Sequence, residues 1–190
     1  MRFFDVLLGR SRPIEPDLDR LFALPSAAVT LQAASGFAPT GHGSVCFATI
    51  EGAAFTQVRE DVRALLTTGP DSAPVELTHD SYGYSWLHVQ RDPGDLASLV
   101  TDLHAVNAAL ADSGFGPNLL CSLVGFEDSD QRSLALVYLY KRGTFYPFAP
   151  LPGNRRDNAL ELQIKAAVAN ELDIEQDLTR WFPLWGTPGL

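Results

Sequence analysis

Two apolar runs, at residues 119–126 and 134–141, constrain the fold of this chain more than any other feature of its sequence. Each run is apolar on both alternating faces, which is typical of a strand in the middle of a sheet. The polar residues 127–131 join the runs, so the sequence predicts an antiparallel hairpin with a solvated tip. We therefore expect a sheet at the centre of the fold.

Strand pairs are also predicted earlier in the chain. Apolar runs between turn signals place strands at residues 28–33 and 44–51, and the glycine-rich residues 40–43 between them are predicted to form a turn. Alternation of apolar and polar residues places a second pair at 75–77 and 82–90.

Apolar residues at helical spacing follow each of these pairs. Residues 55–66 carry one apolar face, and residues 96–110 carry the clearest stripe in the sequence, with Asp92 as its predicted cap. Asn158 with Glu161 three residues later resembles a capping box for another helix. The apolar face of that helix consists of Leu160, Ile164, Val168 and Leu172. Short helices are also predicted at residues 1–9, at residues 17–24 with Pro25 as the stop, and from Asp173 to Pro183.

These elements predict the fold class. Because hairpins pair antiparallel and a helix follows each pair, we expect an α+β fold: an antiparallel sheet from successive ββα-like units with helices packed on it. The 190 residues fit one domain, 1–190. Within it, residues 1–14 form a short apolar and basic leader helix, and residues 173–190 form an aromatic, proline-rich tail.

Charge and composition restrict the cellular setting. The net charge of −9 opposes nucleic-acid binding, which requires a basic face. No apolar run approaches the roughly 18 residues of a membrane-spanning helix, and the stretch Phe3–Leu8 is too short for a signal peptide. The two cysteines, Cys46 and Cys121, lie in apolar runs without metal-ligand spacing, so we interpret them as buried, reduced thiols. These features predict a cytoplasmic protein.

Familiar catalytic motifs are missing from the sequence. It contains no glycine-rich phosphate loop, no nucleophile elbow and no histidine pair at metal-ligand spacing, so we predict no catalytic residue, no cofactor and no metal. Two weaker interpretations stay open. His42 and Ser44 lie in the glycine-rich turn, where a catalytic pair is conceivable, and His104 lies beside the apolar stripe at 96–110.

Aromatic residues mixed with arginine and proline are typical of protein interfaces. They occur twice, around residues 142–148 and 181–185, and they predict a partner-binding set of Arg142, Phe145, Tyr146, Phe148, Trp181, Phe182 and Trp185. The alternative is that these side chains close the core. The leader gives a second candidate contact, a weak peripheral attachment to lipid headgroups through Phe3, Phe4, Leu7 and Leu8.

Six segments that span nearly the whole chain together resemble the PspA-associated family PspAB: Phe4–Arg10, Tyr82–Trp86, Thr101–Asn107, Leu119–Phe126, Tyr138–Phe148 and Arg180–Gly186. The resemblance implies a bacterial protein linked to PspA, the membrane-stress effector of the phage-shock system, with an HtpX-like membrane metalloprotease among its genomic neighbours. It implies no enzyme activity, cofactor or catalytic residue.

Three functions follow as hypotheses. The first is an adaptor without catalytic activity that binds PspA or a membrane protease in the envelope stress response, from the cytoplasm or from the inner face of the membrane. The second is an enzyme with an unrecognised site around His42 and Ser44, or around His104. The third is a structural homodimer formed through a sheet edge or an apolar patch.

Overall fold

A six-stranded antiparallel sheet organises the chain, as the hairpin at its centre predicts. The computed structural model describes residues 16–49, 52–67, 75–80 and 82–190. The predicted leader helix and the predicted membrane-contact residues Phe3, Phe4, Leu7 and Leu8 lie outside the described residues. The strands are β1 (Ala38–Ala48), β2 (Val75–His79), β3 (Tyr84–Gln90), β4 (Leu119–Glu127), β5 (Ser133–Leu139) and β6 (Thr144–Phe148). Their order across the sheet is β2-β3-β1-β4-β5-β6.

Helices complete the α+β fold, and the predicted fold class is confirmed. The longer helices are α1 (Leu24–Ser35), α2 (Ala53–Thr67), α3 (Leu96–Leu110) and α4 (Asn158–Ala167). Short 3-10 helices lie at Leu18–Ala23, Gly116–Asn118 and Leu178–Arg180. A small ribbon pairs β7 (Pro150–Leu151) with β8 (Arg155–Arg156).

One face of the sheet carries helix α3. A Cβ atom added at Gly43 in β1 would lie 3.0 Å from Leu103 and 3.2 Å from Leu99, so strand and helix approach closely here. Asn107 of α3 also donates to the hydroxyl oxygen of Ser122 in β4, at 2.8 Å. Because side chains alternate along a strand, the neighbours of Gly43 and Ser122 point to the opposite side, which we call the open face.

Residues 181–190, which we call the crossing segment, pass over the open face. The Tyr146 hydroxyl donates to the carbonyl of Phe182 at 2.9 Å, and the Trp185 ring lies edge-on to Phe148 at 5.1 Å between centroids. Further along, the Ser44 hydroxyl donates to the carbonyl of Pro188 at 3.1 Å. The tail therefore covers much of the sheet's second face.

The strand predicted at residues 28–33 is wrong, because this stretch belongs to helix α1. Pro25 lies in the first turn of that helix and does not end a preceding one, since the first turn tolerates a missing N–H. The buried residues of α1 follow helical spacing: Leu24, Ala27, Ala28 and Leu31. The first of the three predicted ββα-like units is therefore an αβα arrangement.

Strand β1 is longer than predicted and includes the expected turn at residues 40–43. Its register with β4 shifts between Pro39 and Gly43. Gly41 has a φ of +80°, and a Cβ there would lie 2.2 Å from the carbonyl oxygen of Arg91. Only glycine permits this approach, so the glycines mark an irregular strand and not a turn.

Three predicted termini also differ from the structure. Asp95 caps α3 by accepting from the N–H of Ser98, where the prediction named Asp92. Asp157 caps α4 through the N–H of Leu160, where it named Asn158. The helix predicted from Asp173 is replaced by an isolated parallel bridge between Ile174 and Phe145, and only Leu178–Arg180 is helical there.

Candidate functional site

A pocket of about 650 Å³ lies between the open face of the sheet and the crossing segment. Five different strands supply its floor, which consists of Cys46, Trp86, Cys121, Leu139 and Tyr146. Residues 182–185 of the crossing segment form the wall. The mouth is formed by Asp80, Tyr82, Tyr84, Lys141, Arg142 and Arg180.

Sheet register places the floor residues side by side. Cys46 pairs directly with Trp86 on one side and with Cys121 on the other, and Cys121 pairs with Leu139. Directly paired side chains lie on the same face and about 5 Å apart. The floor is therefore one row across four strands, and Tyr146 adds a fifth strand.

The polar atoms of the floor already have partners within the protein. The indole N–H of Trp86 donates to the Asp80 carboxylate at 2.9 Å, and the Tyr146 hydroxyl donates to Phe182. Cys46 and Cys121 are free, buried thiols. A hydrogen bond with Cys121 and burial together raise the pKa of Cys46, so its thiol stays protonated. The floor thus behaves as an apolar surface.

The aspartate at the mouth is held in its charged form. Burial acts to raise the pKa of Asp80, but hydrogen bonds from Trp86 and from the backbone N–H groups of Tyr84 and Tyr82 outweigh it and lower that pKa. The charged carboxylate therefore fixes the Trp86 ring and the turn that carries both tyrosines.

Exposed aromatic rings surround the mouth. Tyr82, Tyr84 and Phe182 are 62%, 42% and 55% exposed. Seven large apolar or aromatic side chains of the described residues are exposed to this degree, and three of them meet here. A concentration of exposed apolar surface around a concave site is typical of an interface for another molecule.

Cations occupy one side of the mouth. Arg142 donates to the Glu175 carboxylate at 3.2 Å, and Arg180 lies 3.7 Å from the same group. Burial opposes the charge on Glu175, but hydrogen bonds from Asp177, Thr144 and Arg142 lower its pKa. Lys141 is exposed and has no ion-pair partner in the described ranges. One positive charge at the mouth is therefore free to meet a ligand.

The predicted partner-binding residues divide into two groups. Arg142, Tyr146, Phe182 and Trp185 line the pocket. The side chains of Phe145, Phe148 and Trp181 are buried, at 1%, 0% and 5% exposure, and do not line it. Trp181 stacks on Tyr146 with the ring centroids 5.9 Å apart. Phe145, Phe148 and Trp181 therefore pack the fold, which is the alternative that the sequence left open for them.

Several pocket residues were not predicted, among them Tyr82, Tyr84 and Trp86. Their signal was available, because Tyr84 and Trp86 occupy alternate positions of β3 and so lie on one face, with Tyr82 in the turn before it. Lys141 and Arg180 also border predicted residues. The sequence does not indicate, however, that the tail returns to the same face of the sheet.

The base of the crossing segment is anchored by charged and aromatic groups. The Arg156 guanidinium donates to the Trp181 carbonyl and, at 2.9 Å, to the buried Glu161 carboxylate. The indole N–H of Trp181 donates to the carbonyl of Glu175 at 3.0 Å. These bonds fix the point from which residues 182–185 enter the pocket wall.

The other end of the crossing segment lies on a chain of polar side chains. His42 Nδ1 lies 3.2 Å from His88 Nε2, and His88 Nδ1 lies 3.0 Å from Ser44 Oγ. Since Ser44 donates to Pro188, the consistent arrangement has His88 Nδ1–H donating to Ser44 and His42 Nδ1–H donating to His88. Burial and the neighbouring His42 lower the pKa of His88 and outweigh Glu76 and the backbone of Gly43, which act to raise it.

These histidines do not form a triad geometry with Ser44. In the described part of the chain, no carboxylate is hydrogen-bonded to His42 or His88, and the Ser44 proton points away from His88. His104 lies elsewhere, 3.2 Å from the Asp19 carboxylate, which is exposed at the surface. Neither Ser44 nor His104 lines the pocket described above.

The described residues offer neither a metal site nor a membrane span. No group of three or more His, Cys, Asp or Glu side chains there could hold a metal ion. Within the same ranges, no helix has the length and apolar character needed to cross a membrane.

Comparison with known proteins identifies a family. A family model, PspAB (PspA associated protein B), matches residues 1–189. The name of the family indicates an association with PspA. No curated protein and no solved structure matches the chain.

Proposed function

This chain belongs to the PspAB family, and on that premise we propose that it is an adaptor without catalytic activity that binds PspA through the pocket under the crossing segment. The observation that carries the proposal is the ring of Tyr82, Tyr84 and Phe182 around an apolar pocket. Tyrosine and tryptophan are the residues most enriched among interface side chains that dominate binding energy. A cytoplasmic role in the envelope stress response is the setting that this partner suggests.

A role without catalysis is favoured by the state of the reactive groups. A nucleophile must be activated by a base, whereas the Ser44 hydroxyl donates to a backbone carbonyl and is fully buried. The thiol of Cys46 is protonated and therefore a poor nucleophile. A site built for binding needs neither group to react.

Binding of purified PspA to immobilised protein tests the proposal. We expect Tyr82→Ala and Phe182→Ala each to weaken the Kd about tenfold or more, since truncating a central aromatic anchor costs roughly 2 kcal/mol. Leu162→Ala is the matched control, because Leu162 is also about half exposed but does not line the pocket. No binding of PspA, or equal loss in the control, would refute the proposal.

The same assay addresses a membrane protease as the partner. If an HtpX-like protease in detergent micelles is retained and PspA is not, the proposal of PspA as the partner fails and an adaptor role toward the protease replaces it. The leader bears on this point, so the assay is repeated with residues 1–12 deleted and with vesicles of anionic lipid present.

A further inference from the structure

We infer that the pocket takes large apolar side chains of the partner protein together with a neighbouring carboxylate, so that the bound segment is both apolar and acidic. The inference rests on the proposed function and specifies what the pocket recognises. It follows from three properties of the site. The polar atoms of the floor are already hydrogen-bonded within the protein, the mouth carries a cation that is unpaired among the described residues, and the pocket is large.

The floor selects apolar groups. Trp86 and Tyr146 already donate to Asp80 and Phe182, and the cysteine thiols are buried beside each other. A polar group entering this pocket would lose its water without gaining a hydrogen bond, at a considerable energetic cost. An apolar group loses nothing and gains the burial of its surface.

The charges at the mouth favour a carboxylate on the bound segment. The whole chain carries a net charge of −9 and so repels acidic partners at long range. At the mouth, however, Lys141 is unpaired in the described ranges, and Arg142 and Arg180 share Glu175. The charge of Asp80, also at the mouth, is already stabilised by three hydrogen bonds within the protein. A carboxylate beside the apolar group would therefore find its favourable position at Lys141.

The volume indicates more than one side chain. About 650 Å³ lies within the range of sites that enclose drug-sized ligands, roughly 300–1,000 Å³. A single leucine or phenylalanine would leave part of the floor uncovered. A segment that presents several apolar side chains on one face fits better, which is how amphipathic segments bind in grooves.

A dye with the same chemistry tests the pocket. The probe is 8-anilinonaphthalene-1-sulfonate, an apolar aromatic anion, and the comparison probe is the neutral dye Nile red. We expect one equivalent of each dye to bind the wild-type protein with increased fluorescence. Lys141→Glu should weaken binding of the anionic dye about fivefold or more and change binding of Nile red less than twofold.

Two variants control for charge and position. Arg59→Glu makes the same change in net charge at a site that does not line the pocket, and we expect it to leave both dyes unaffected. Leu184→Trp, in the pocket wall, should weaken the binding of both dyes. Equal loss of both dyes in Lys141→Glu, or unchanged binding in Leu184→Trp, would overturn the inference.

Competition identifies the occupant. Displacement of the anionic dye by purified PspA, but not by monomeric laurate, supports the inference. If PspA binds with the losses expected for Tyr82→Ala and Phe182→Ala but leaves the dye in place, it contacts the rim of the pocket without filling it. The proposed function then stands and the inference fails. If the dye responds to Lys141 and Leu184 as expected but only laurate displaces it, the occupant is a free amphiphile, which overturns the assignment to a protein segment.

Discussion

His88 illustrates how one residue couples pH to the position of the crossing segment. Its ring accepts from His42 and donates to Ser44, which in turn donates to Pro188. A second proton on the ring would remove its acceptor and place two donors face to face. Of the groups that face His88, His42 in β1 opposes the added proton, whereas Glu76 in β2 and the backbone of Gly43 favour it.

The lowered pKa of His88 predicts a loss of stability in acid. In the unfolded chain this residue takes up a proton as pH falls through about 6.5, whereas the folded protein still resists it. The unfolded state then binds more protons, so the free energy of unfolding falls between about pH 7.5 and pH 5. Urea unfolding at both pH values measures this change.

Substitution isolates the contribution of this histidine. In His88→Gln the decrease in unfolding free energy from pH 7.5 to pH 5 should be smaller than in the wild type. His104→Gln, at the surface beside Asp19, controls for removal of a histidine elsewhere. An equal decrease in the wild type and in His88→Gln would contradict the argument.

Two glycines of the crossing segment allow the cost of backbone strain to be measured apart from the cost of a steric clash. Gly186 and Gly189 both have positive φ, +69° and +88°. A Cβ at Gly186 meets nothing within 4 Å, whereas at Gly189 it would lie 2.7 Å from His42 Cβ and 2.9 Å from His88 Cε1. Gly186→Ala should therefore lower the free energy of unfolding only by the cost of a left-handed backbone at alanine, roughly 1–2 kcal/mol.

Gly189→Ala should lower the free energy of unfolding more than Gly186→Ala does. The added clash makes its unfolding free energy lower than that of Gly186→Ala by about 1–3 kcal/mol, the usual cost of overpacking. Fluorescence of Trp181 and Trp185 during urea unfolding measures both variants. Equal stability of the two variants would mean that the end of the crossing segment does not press on the histidines.

At the level of elements, local patterns predicted the sheet well and its boundaries less well. The hairpin of β4 and β5, the strands β2 and β3 and the stripe of α3 are confirmed, because each has a clear pattern in the sequence. The pattern is a continuous apolar run in β4 and β5, alternation in β2 and β3, and helical spacing in α3. Helix α1 was misread since its alanines and its valine fit both a short strand and a buried helix. Strand β6 was missed because its aromatic residues suggested an interface.

The two predicted caps were displaced by one to three residues, and this offers a test. Asp157 accepts from the N–H of Leu160 at 3.0 Å, so Asp157→Ala should lower the unfolding free energy by about 1 kcal/mol. Asn158, the residue that the pattern favoured, is exposed in the first turn of α4. Asn158→Ala should change stability by less than about 0.5 kcal/mol.

Urea unfolding of both variants decides between the caps. Equal losses would mean that the cap is shared, and a larger loss in Asn158→Ala would restore the predicted capping box. Circular dichroism of the folded variants should stay unchanged, because tertiary packing of Leu160 and Ile164 holds the helix in place.

The long-range arrangement of the strands and the tail explains why the pocket could not be predicted in full. Its floor takes one side chain from each of five strands, and its wall comes from residues more than thirty positions after the last of them. Such a site depends on sheet order and on the path of the tail, and no local pattern specifies either. Four of the seven residues predicted from the aromatic and arginine clusters line the pocket, and their role in binding a partner stays a prediction.

The two cysteines test the whole arrangement, because they lie on the central strands β1 and β4 under the pocket. A hydrogen bond between them and burial raise the pKa of Cys46, and thiol reagents attack only the thiolate. At pH 8, labelling of the folded protein by 5,5′-dithiobis(2-nitrobenzoate) should therefore be at least about tenfold slower than labelling in urea. Cys46→Ser and Cys121→Ser assign the rate to each thiol. Rapid labelling of one thiol in the folded protein would mean that this thiol is ionised at the floor, and the apolar character of the pocket would then lose its basis.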